Sequence, residues 1–384
     1  MRVFILEPSA VGIDRTHGAK ALIGHTRALV SAGIEVVWVS NIKNELDYPA
    51  VPNHKIFTYT IYDDVRNKRK TLQKKLLQPI RLILARNTSR ALIRVLLSEN
   101  ISSDDHIFVP TTDWITFRAV FMAVESPELK DRAPAMHFLI MYDRARWMTG
   151  GYPFEKITGQ LRNTNRNVFV YTETARLAGR LADQIGKPVR AYPFPGFKSA
   201  VGSTDVANKK SVCFLGGGRR DKGFQLIPDI VGKLDQEAKD LDIIVQEPRP
   251  EDRLGEELEK LKQYGNVQIL DNTISEDDYN NYLHRCSILV FPYDKYVYEA
   301  RGSAIVVEAV VNGVPLICTD DTSLTEMIYT GNGKAAKNAD EFAHCILEIN
   351  RNYEQFHDRA GLAAEKYEKN LLNSPLVKNI TGRD

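Results

Sequence analysis

Apolar residues in this chain come in short unbroken runs, separated by longer stretches with helical spacing. Val3 to Leu6 is one such run. A polar loop follows, Glu7 to Gly18, then a helical pattern from Ala19 to Ala32, a closing Gly33 and a second run, Ile34 to Val39. A strand buried on both faces loses the alternation of a half-exposed one, so this order predicts the opening of a parallel α/β unit. Further runs at Ile107–Val109, Met136–Met141, Val168–Tyr171, Val189–Tyr192, Val212–Leu215, Ile243–Val245, Val267–Leu270, Ile288–Phe291 and Leu316–Cys318 repeat the pattern. The fold class expected is α/β, with doubly wound parallel sheets rather than a sandwich or a bundle.

The chain has 384 residues, more than the ~100–200 of one domain. Between Tyr192 and Ser211 the sequence YPFPGFKSAVGSTDVANKKS has two prolines, two glycines and no apolar period. That stretch reads as a linker. The predicted organisation is a Rossmann-like domain over 1–195, a linker over 196–210, a second Rossmann-like domain over 211–355, and a helical tail, 356–384, crossing back to the first domain.

Composition adds exclusions. With 43% hydrophobic and 26% charged residues, the chain is neither disordered, collagenous nor coiled-coil. The four cysteines, at 213, 286, 318 and 345, stand at least 27 residues apart, so neither a zinc site nor a disulfide framework is indicated. The N-terminal apolar run is too short for a signal peptide, and no run approaches the ~18–20 residues of a membrane span. A cytoplasmic chain is expected. Its net charge of +2 hides an asymmetry, because residues 66–97 carry ten Lys or Arg and no acid, leaving −8 elsewhere. Such a segment suggests an anionic partner.

The chemistry concentrates in the second half. Val212–Leu215 runs into Gly216-Gly217-Gly218-Arg219-Arg220-Asp221-Lys222-Gly223 and then a helix from about Phe224. Glycines let the backbone approach a ligand, and Arg219, Arg220 and Lys222 at a strand's C-terminal end suit a diphosphate. The motif is neither a Walker loop nor a G-x-G-x-x-G fingerprint. Further on, Tyr298-Glu299-Ala300-Arg301-Gly302-Ser303-Ala304 leads into a helix that ends at Gly313. Ser303 is the expected N-cap, and the free amides beyond Gly302 form an anion site. Glu308, inside the apolar VVEAVV, is costly without a hydrogen-bonding partner, which points to a carboxylate accepting ribose or sugar hydroxyls.

Together, GGGRRDKGF, HRCSILVFPYD and YEARGSAIVVEAVVNGVPLICTDD resemble the nucleotide-binding half of retaining glycosyltransferases of the family 4, or group 1, type. The resemblance covers about 205–330 well and the first half in outline. It implies the GT-B fold, two Rossmann-like domains facing a central cleft, and sugar transfer from a nucleotide diphosphate to a hydroxyl. It also implies an Arg and Lys on the diphosphate, Gly302 to Ala304 supporting the phosphates, and Glu308 on the ribose. No metal pair or other cofactor is implied. Two departures stand out. The family pattern Glu, seven residues, Glu falls on Ala300, with Glu299 one residue out of register, and the Arg to Lys spacing is short, so either Arg219 or Arg220 serves the phosphate.

In the first half, the resemblance places Arg15, Thr16, His17 and Gly18 near the donor phosphates and the acceptor. Asp143 and Arg144, after the strand Met136–Met141, are candidates for an acceptor hydroxyl and an anion. His137, at that strand's start, reads as structural. Thr172 borders the cleft or caps a helix. The basic stretch Arg66 to Leu97 fits either an amphipathic helix docking peripherally on the inner face of an anionic membrane, where lipid-linked acceptors reside, or a core-packed helix with a solvated face. It lacks the aromatics that stack on nucleic acid. The expected function is retaining transfer to a glycan or lipid-linked acceptor in bacterial-type surface polysaccharide synthesis. The alternatives are a nucleotide-sugar epimerase of the same fold and a non-catalytic sugar-nucleotide-binding protein.

Overall fold

The computed structural model describes residues 1–12, 17–60, 78–132, 134–142, 154–196, 198 and 211–383. The chain divides into two compact units: Met1–Pro195 with Leu371–Asp384, and Gly196–Asn370.

In the first unit the apolar runs become β1 (Arg2–Glu7), β2 (Glu35–Asn41), β4 (His106–Val109), β5 (Ala135–Leu139), β6 (Val168–Thr172) and β7 (Val189–Ala191), joined by β3 (Asn53–Phe57). All pair in parallel in the order β3-β2-β1-β4-β5-β6-β7. The order reverses between β1 and β4, where loops leaving the strand ends diverge and open a crevice. The helices described here are α1 (His17–Ser31), α2 (Gln78–Ser98), α3 (Trp114–Val124), α4 (Phe154–Asn163) and α5 (Ala175–Ile185).

The second unit holds β8 (Ser211–Phe214), β9 (Asp242–Gln246), β10 (Val267–Leu270), β11 (Ile288–Phe291), β12 (Leu316–Thr319) and β13 (Gly333–Ala336). They form a second parallel sheet in the order β10-β9-β8-β11-β12-β13. Its helices are α6 (Ile227–Glu237), α7 (Gly255–Leu261), α8 (Glu276–Arg285), α9 (Ala304–Val311), α10 (Ala339–Arg351) and α11 (Tyr353–Leu372). The tail expected as one piece from 356 is divided. α11 lies almost wholly in the second unit, and only from Leu371 does the chain count with the first. There α12 (Pro375–Thr381) buries Leu376, Val377 and Ile380 against Val3, Ile5 and Trp38.

Two expectations are corrected. Cys213 on β8 and Cys286, just before β11, are joined by a disulfide with Cα atoms 6.0 Å apart. Their distance along the chain concealed this, but β8 and β11 are neighbours in the sheet. The helix expected from Phe224 begins as a 3-10 turn over Phe224–Leu226 and becomes α-helical only at Ile227.

A polar network runs through the core of the first sheet. His106 Nδ1 and His137 Nε2 are 2.9 Å apart, and His137 Nδ1 lies 2.9 Å from the Tyr171 hydroxyl. The Asn379 amide on α12 donates to that same hydroxyl at 2.7 Å. Burial holds His137 well below the usual histidine range, so it stays neutral. Among the described residues, no helix is long and apolar enough to cross a membrane.

Candidate functional site

The loop after β8 turns on Gly216 and Gly217, at φ +102° and +78°, backbone angles that side chains strain to adopt. Their amides are not presented to a ligand. Both donate to Gln246 Oε1 at the end of β9, at 3.0 and 2.6 Å, and the Gln246 amide in turn donates to the Asn272 carbonyl at 3.0 Å. The third glycine, Gly218, donates to the Glu247 carbonyl at 3.2 Å. Close approach is what these glycines permit. A Cβ on Gly216 would stand 2.8 Å from Lys222 Nζ, and one on Gly218 would stand 2.6 Å from the Pro248 nitrogen.

Arg219 and Lys222 line one pocket with Gly217, Gly218, Gln246 and Tyr293. Arg220 does not join them: it is exposed and donates to the Arg253 carbonyl at 3.3 Å. Arg219 is extended, and the 3-10 turn Arg220–Lys222 starts immediately after it. Adjacent side chains therefore leave in different directions. Asp221 accepts from Arg219 Nε and Nη2, along one edge of the guanidinium, at 2.9 and 3.0 Å, and stands 3.9 Å from Arg301. Burial works against the Arg219 charge, but the Asp221 carboxylate outweighs it and secures the cation. Lys222 donates to the Gly216 carbonyl. Burial first, and then the Arg219 charge, push its pKa down to about 7, with Asp221 offsetting part of the effect. A buried, partly charged lysine beside two arginines is a site prepared for an anion.

On the other side of the sheet's midline, the chain leaving β11 supplies Tyr293, Tyr298 and Arg301. The Arg301 guanidinium lies 5.2 Å from the Tyr298 ring centroid, a cation–π distance. Tyr298 and Ala300 are buried, whereas Glu299 between them is exposed. The position eight before Glu308, with seven residues between, is thus filled by a methyl group, and Glu299 turns away from it. Gly302, Ser303 and Ala304 are half-buried where α9 begins. Ser303 occupies the N-cap position, but its side chain makes no capping hydrogen bond. Glu308 sits on the half-exposed stripe of α9, between buried Val307 and Ala309, and accepts a hydrogen bond from the Tyr279 hydroxyl of α8. Tyr279, Gln246 and Asp221 were not predicted from sequence. Their roles arise from contacts between separate elements, and the only local signal was a polar residue closing the apolar strand DIIVQ.

In the first unit, β1 ends on Glu7, which is fully buried and accepts from the Ser9 amide at 2.9 Å and the Thr111 hydroxyl at 2.7 Å. Burial pushes its pKa up to about 8 despite those bonds. Asp113, the N-cap of α3, is pushed up to about 6 by the same cause. Two carboxyls therefore lie at the strand-order reversal. Gly18 is a packing position, since a Cβ there would come 2.5 Å from the Ser9 carbonyl. Thr172 is fully buried and donates to the Thr174 carbonyl at 2.8 Å; the cap of α5 is Thr174. His17 opens α1. Arg15, Thr16, Asp143 and Arg144 lie outside the described residues. Among the described residues, no three His, Cys, Asp or Glu side chains gather as metal ligands would.

Residues 209–352 match the family described as glycosyl transferases group 1. The 2-deoxystreptamine N-acetyl-D-glucosaminyltransferase of Niallia circulans is 28% identical over 177 residues, 46% of this chain and 40% of that enzyme. The match thus spans about two fifths of the curated relative. Among solved structures, TarM superposes with a TM-score of 0.66 at 12% identity, covering 99% of this chain and 98% of TarM. A glycosyltransferase from Rickettsia africae gives 0.65 at 11%, covering 100% and 99%. Anabaena Alr3699/HepE, in complex with UDP, gives 0.63 at 12% over the whole of both chains. Residues 209–352 are accordingly a group 1 glycosyltransferase domain, and the chain has the fold of GT-B glycosyltransferases, two parallel-sheet α/β units.

Proposed function

We propose that this chain is a retaining glycosyltransferase that moves a sugar from a nucleotide-diphosphate donor to a hydroxyl of a glycan or lipid-linked acceptor. The observation that carries this reading is the pairing of Arg219 with a buried Lys222 in one pocket after β8. That arrangement fits a leaving diphosphate. It is supported by the N-acetylglucosaminyl transfer in the name of the curated relative and by the UDP bound to Alr3699/HepE. In this mechanism the bond between the anomeric carbon and the phosphate oxygen breaks, and its electron pair leaves with the diphosphate. Arg219, Lys222 and the amides at the start of α9 stabilise that charge. The acceptor oxygen then bonds on the face just vacated, and its proton passes to the departing phosphate oxygen. No protein base is needed.

Glu308 is assigned to the nucleotide ribose, with Tyr279 holding its carboxylate. With nucleotide sugars of several bases, at least one donor should give nucleoside diphosphate in the presence of acceptor. Glu308→Ala should weaken binding of that diphosphate by about ten- to hundredfold, the value of a hydrogen bond to a charged group. Binding without release from any donor and acceptor pair would refute catalysis. Unchanged affinity in Glu308→Ala would refute the ribose assignment.

The acceptor reading, a lipid-linked glycan in surface polysaccharide synthesis, draws support from α2. Ile80 and Ile83 near its start are 51% and 54% exposed, and Arg86, Arg90 and Arg94 are exposed along it. Apolar and basic residues exposed on one helix suit an anionic lipid surface. The protein should float with vesicles containing anionic lipid and not with purely zwitterionic ones, and Arg86/Arg90/Arg94→Ser should abolish flotation. A triple variant that floats as the parent does would exclude this contact.

A further inference from the structure

Tyr293, two residues beyond β11, is 3% exposed and lines the same pocket as Arg219 and Lys222. Two neighbours pack against its ring. The Tyr298 ring packs 4.6 Å away, and the Lys222 ammonium stands 5.5 Å from its centroid. The phenol oxygen itself is buried and makes no hydrogen bond of normal geometry, with the Ser303 side chain beside it. A buried hydroxyl in that condition is costly, and native structures retain one chiefly where another molecule completes it. If packing alone were at stake, phenylalanine would fill the same volume without the penalty. The groups around the oxygen narrow the missing partner to an acceptor of negative charge: two cationic side chains in the same pocket, and Ser303 at the start of α9.

We propose that Tyr293 is a binding residue for the donor diphosphate, its hydroxyl donating a hydrogen bond to a phosphate oxygen held between Arg219 and Lys222. The inference rests on the nucleotide-diphosphate reading above and adds a residue to it. Burial pushes the phenol well above its ordinary pKa, so it remains a donor across the working range. A phosphate oxygen offers only acceptor lone pairs, which matches what the phenol lacks. The same recognition serves a free pyrophosphate or a nucleoside diphosphate, and the two are separable by titration.

Calorimetric titration of the parent and Tyr293→Phe with UDP, GDP, ADP, the corresponding nucleosides and pyrophosphate tests the assignment. The phenylalanine keeps the ring, so the melting temperature should equal or exceed that of the parent. Tyr293→Phe should bind the preferred nucleoside diphosphate about ten- to hundredfold more weakly, bind pyrophosphate more weakly by a similar factor, and bind the nucleoside unchanged. Equal diphosphate affinity in the two proteins overturns the role of Tyr293 and leaves the function standing. A loss confined to the nucleoside places the hydroxyl on base or ribose and overturns it as well. A parent protein that binds no diphosphate at all fails the functional reading first, and this inference with it.

Discussion

Lys222→Met should lower kcat/KM for nucleoside diphosphate release by about 10²–10³-fold, the cost of removing one preorganised donor to a developing anion. Methionine fills nearly the same space and takes away the charge. Stability should change little, since the lost hydrogen bond to the Gly216 carbonyl is offset by removal of a cation that burial disfavours. Equal melting temperatures with a large kinetic loss would therefore locate the effect in the transition state. A parallel pH series strengthens the test. In the free protein Lys222 titrates at about 7, so above that pH the lysine is neutral and an arriving diphosphate must draw in a proton. Affinity of the parent should fall as pH rises from 6 to 9, with proton uptake visible in buffers of different ionisation enthalpy. The folding linkage has the opposite sense. The lysine's pKa is depressed on folding, so the unfolded chain binds more protons, and its penalty grows as pH falls through the interval down to about 7. A donor affinity in the parent that does not vary with pH would sink the assignment.

Gly223→Ala should destabilise the second unit by about 2–5 kcal/mol, combining the ~1–2 kcal/mol of a left-handed non-glycine residue with the ~1–3 kcal/mol of a forced overlap. Gly223 stands at φ +74°, and a Cβ there would fall 1.7 Å from the Pro292 carbonyl oxygen, a backbone atom with no easy retreat. Gly217 provides the control. Its φ is +78°, but a Cβ on it meets nothing within 4 Å. Gly217→Ala should therefore lose only the backbone component. The difference between their urea midpoints measures the contact between the β8 loop and the residue after β11. Identical midpoints would mean that Pro292 yields freely and that this contact does not set the position of the loop.

The central strands were legible because burial on both faces leaves a continuous apolar signature, as in VFIL and ILVF. Two of the four edge strands were not. β3 reads NHKIF with partly exposed positions, and β13 reads GKAA. An edge strand is covered less completely, so it carries no unbroken apolar run. Site residues divide on a similar line. Arg219, Lys222 and Glu308 stand out within a local motif. The difference between Arg219 and its neighbour Arg220 depends on the turn that begins between them. Glu299 looked like a displaced member of a pair, and the buried alternates Tyr298 and Ala300 explain why it faces outward. Gln246, Asp221 and Tyr279 act through partners on other elements, and spacing along the chain is blind to such contacts. The acceptor side was least legible, and Asp143, its named residue, lies outside the described residues.

The placement of α12 sets an order for synthesis. Val3 and Ile5 leave the ribosome before the second unit is made, but their cluster is completed by Leu376, Val377 and Ile380, and the Asn379 amide closes the polar chain that starts at His106. Until those residues emerge, Tyr171 lacks the Asn379 amide and one face of the first sheet lacks part of its cover. The second unit, Gly196–Asn370, contains no segment from elsewhere and is complete earlier. The first unit is therefore finished after the second, and the nascent chain carries an incompletely covered parallel sheet while the second unit is translated, a stage at which exposed apolar surface invites aggregation.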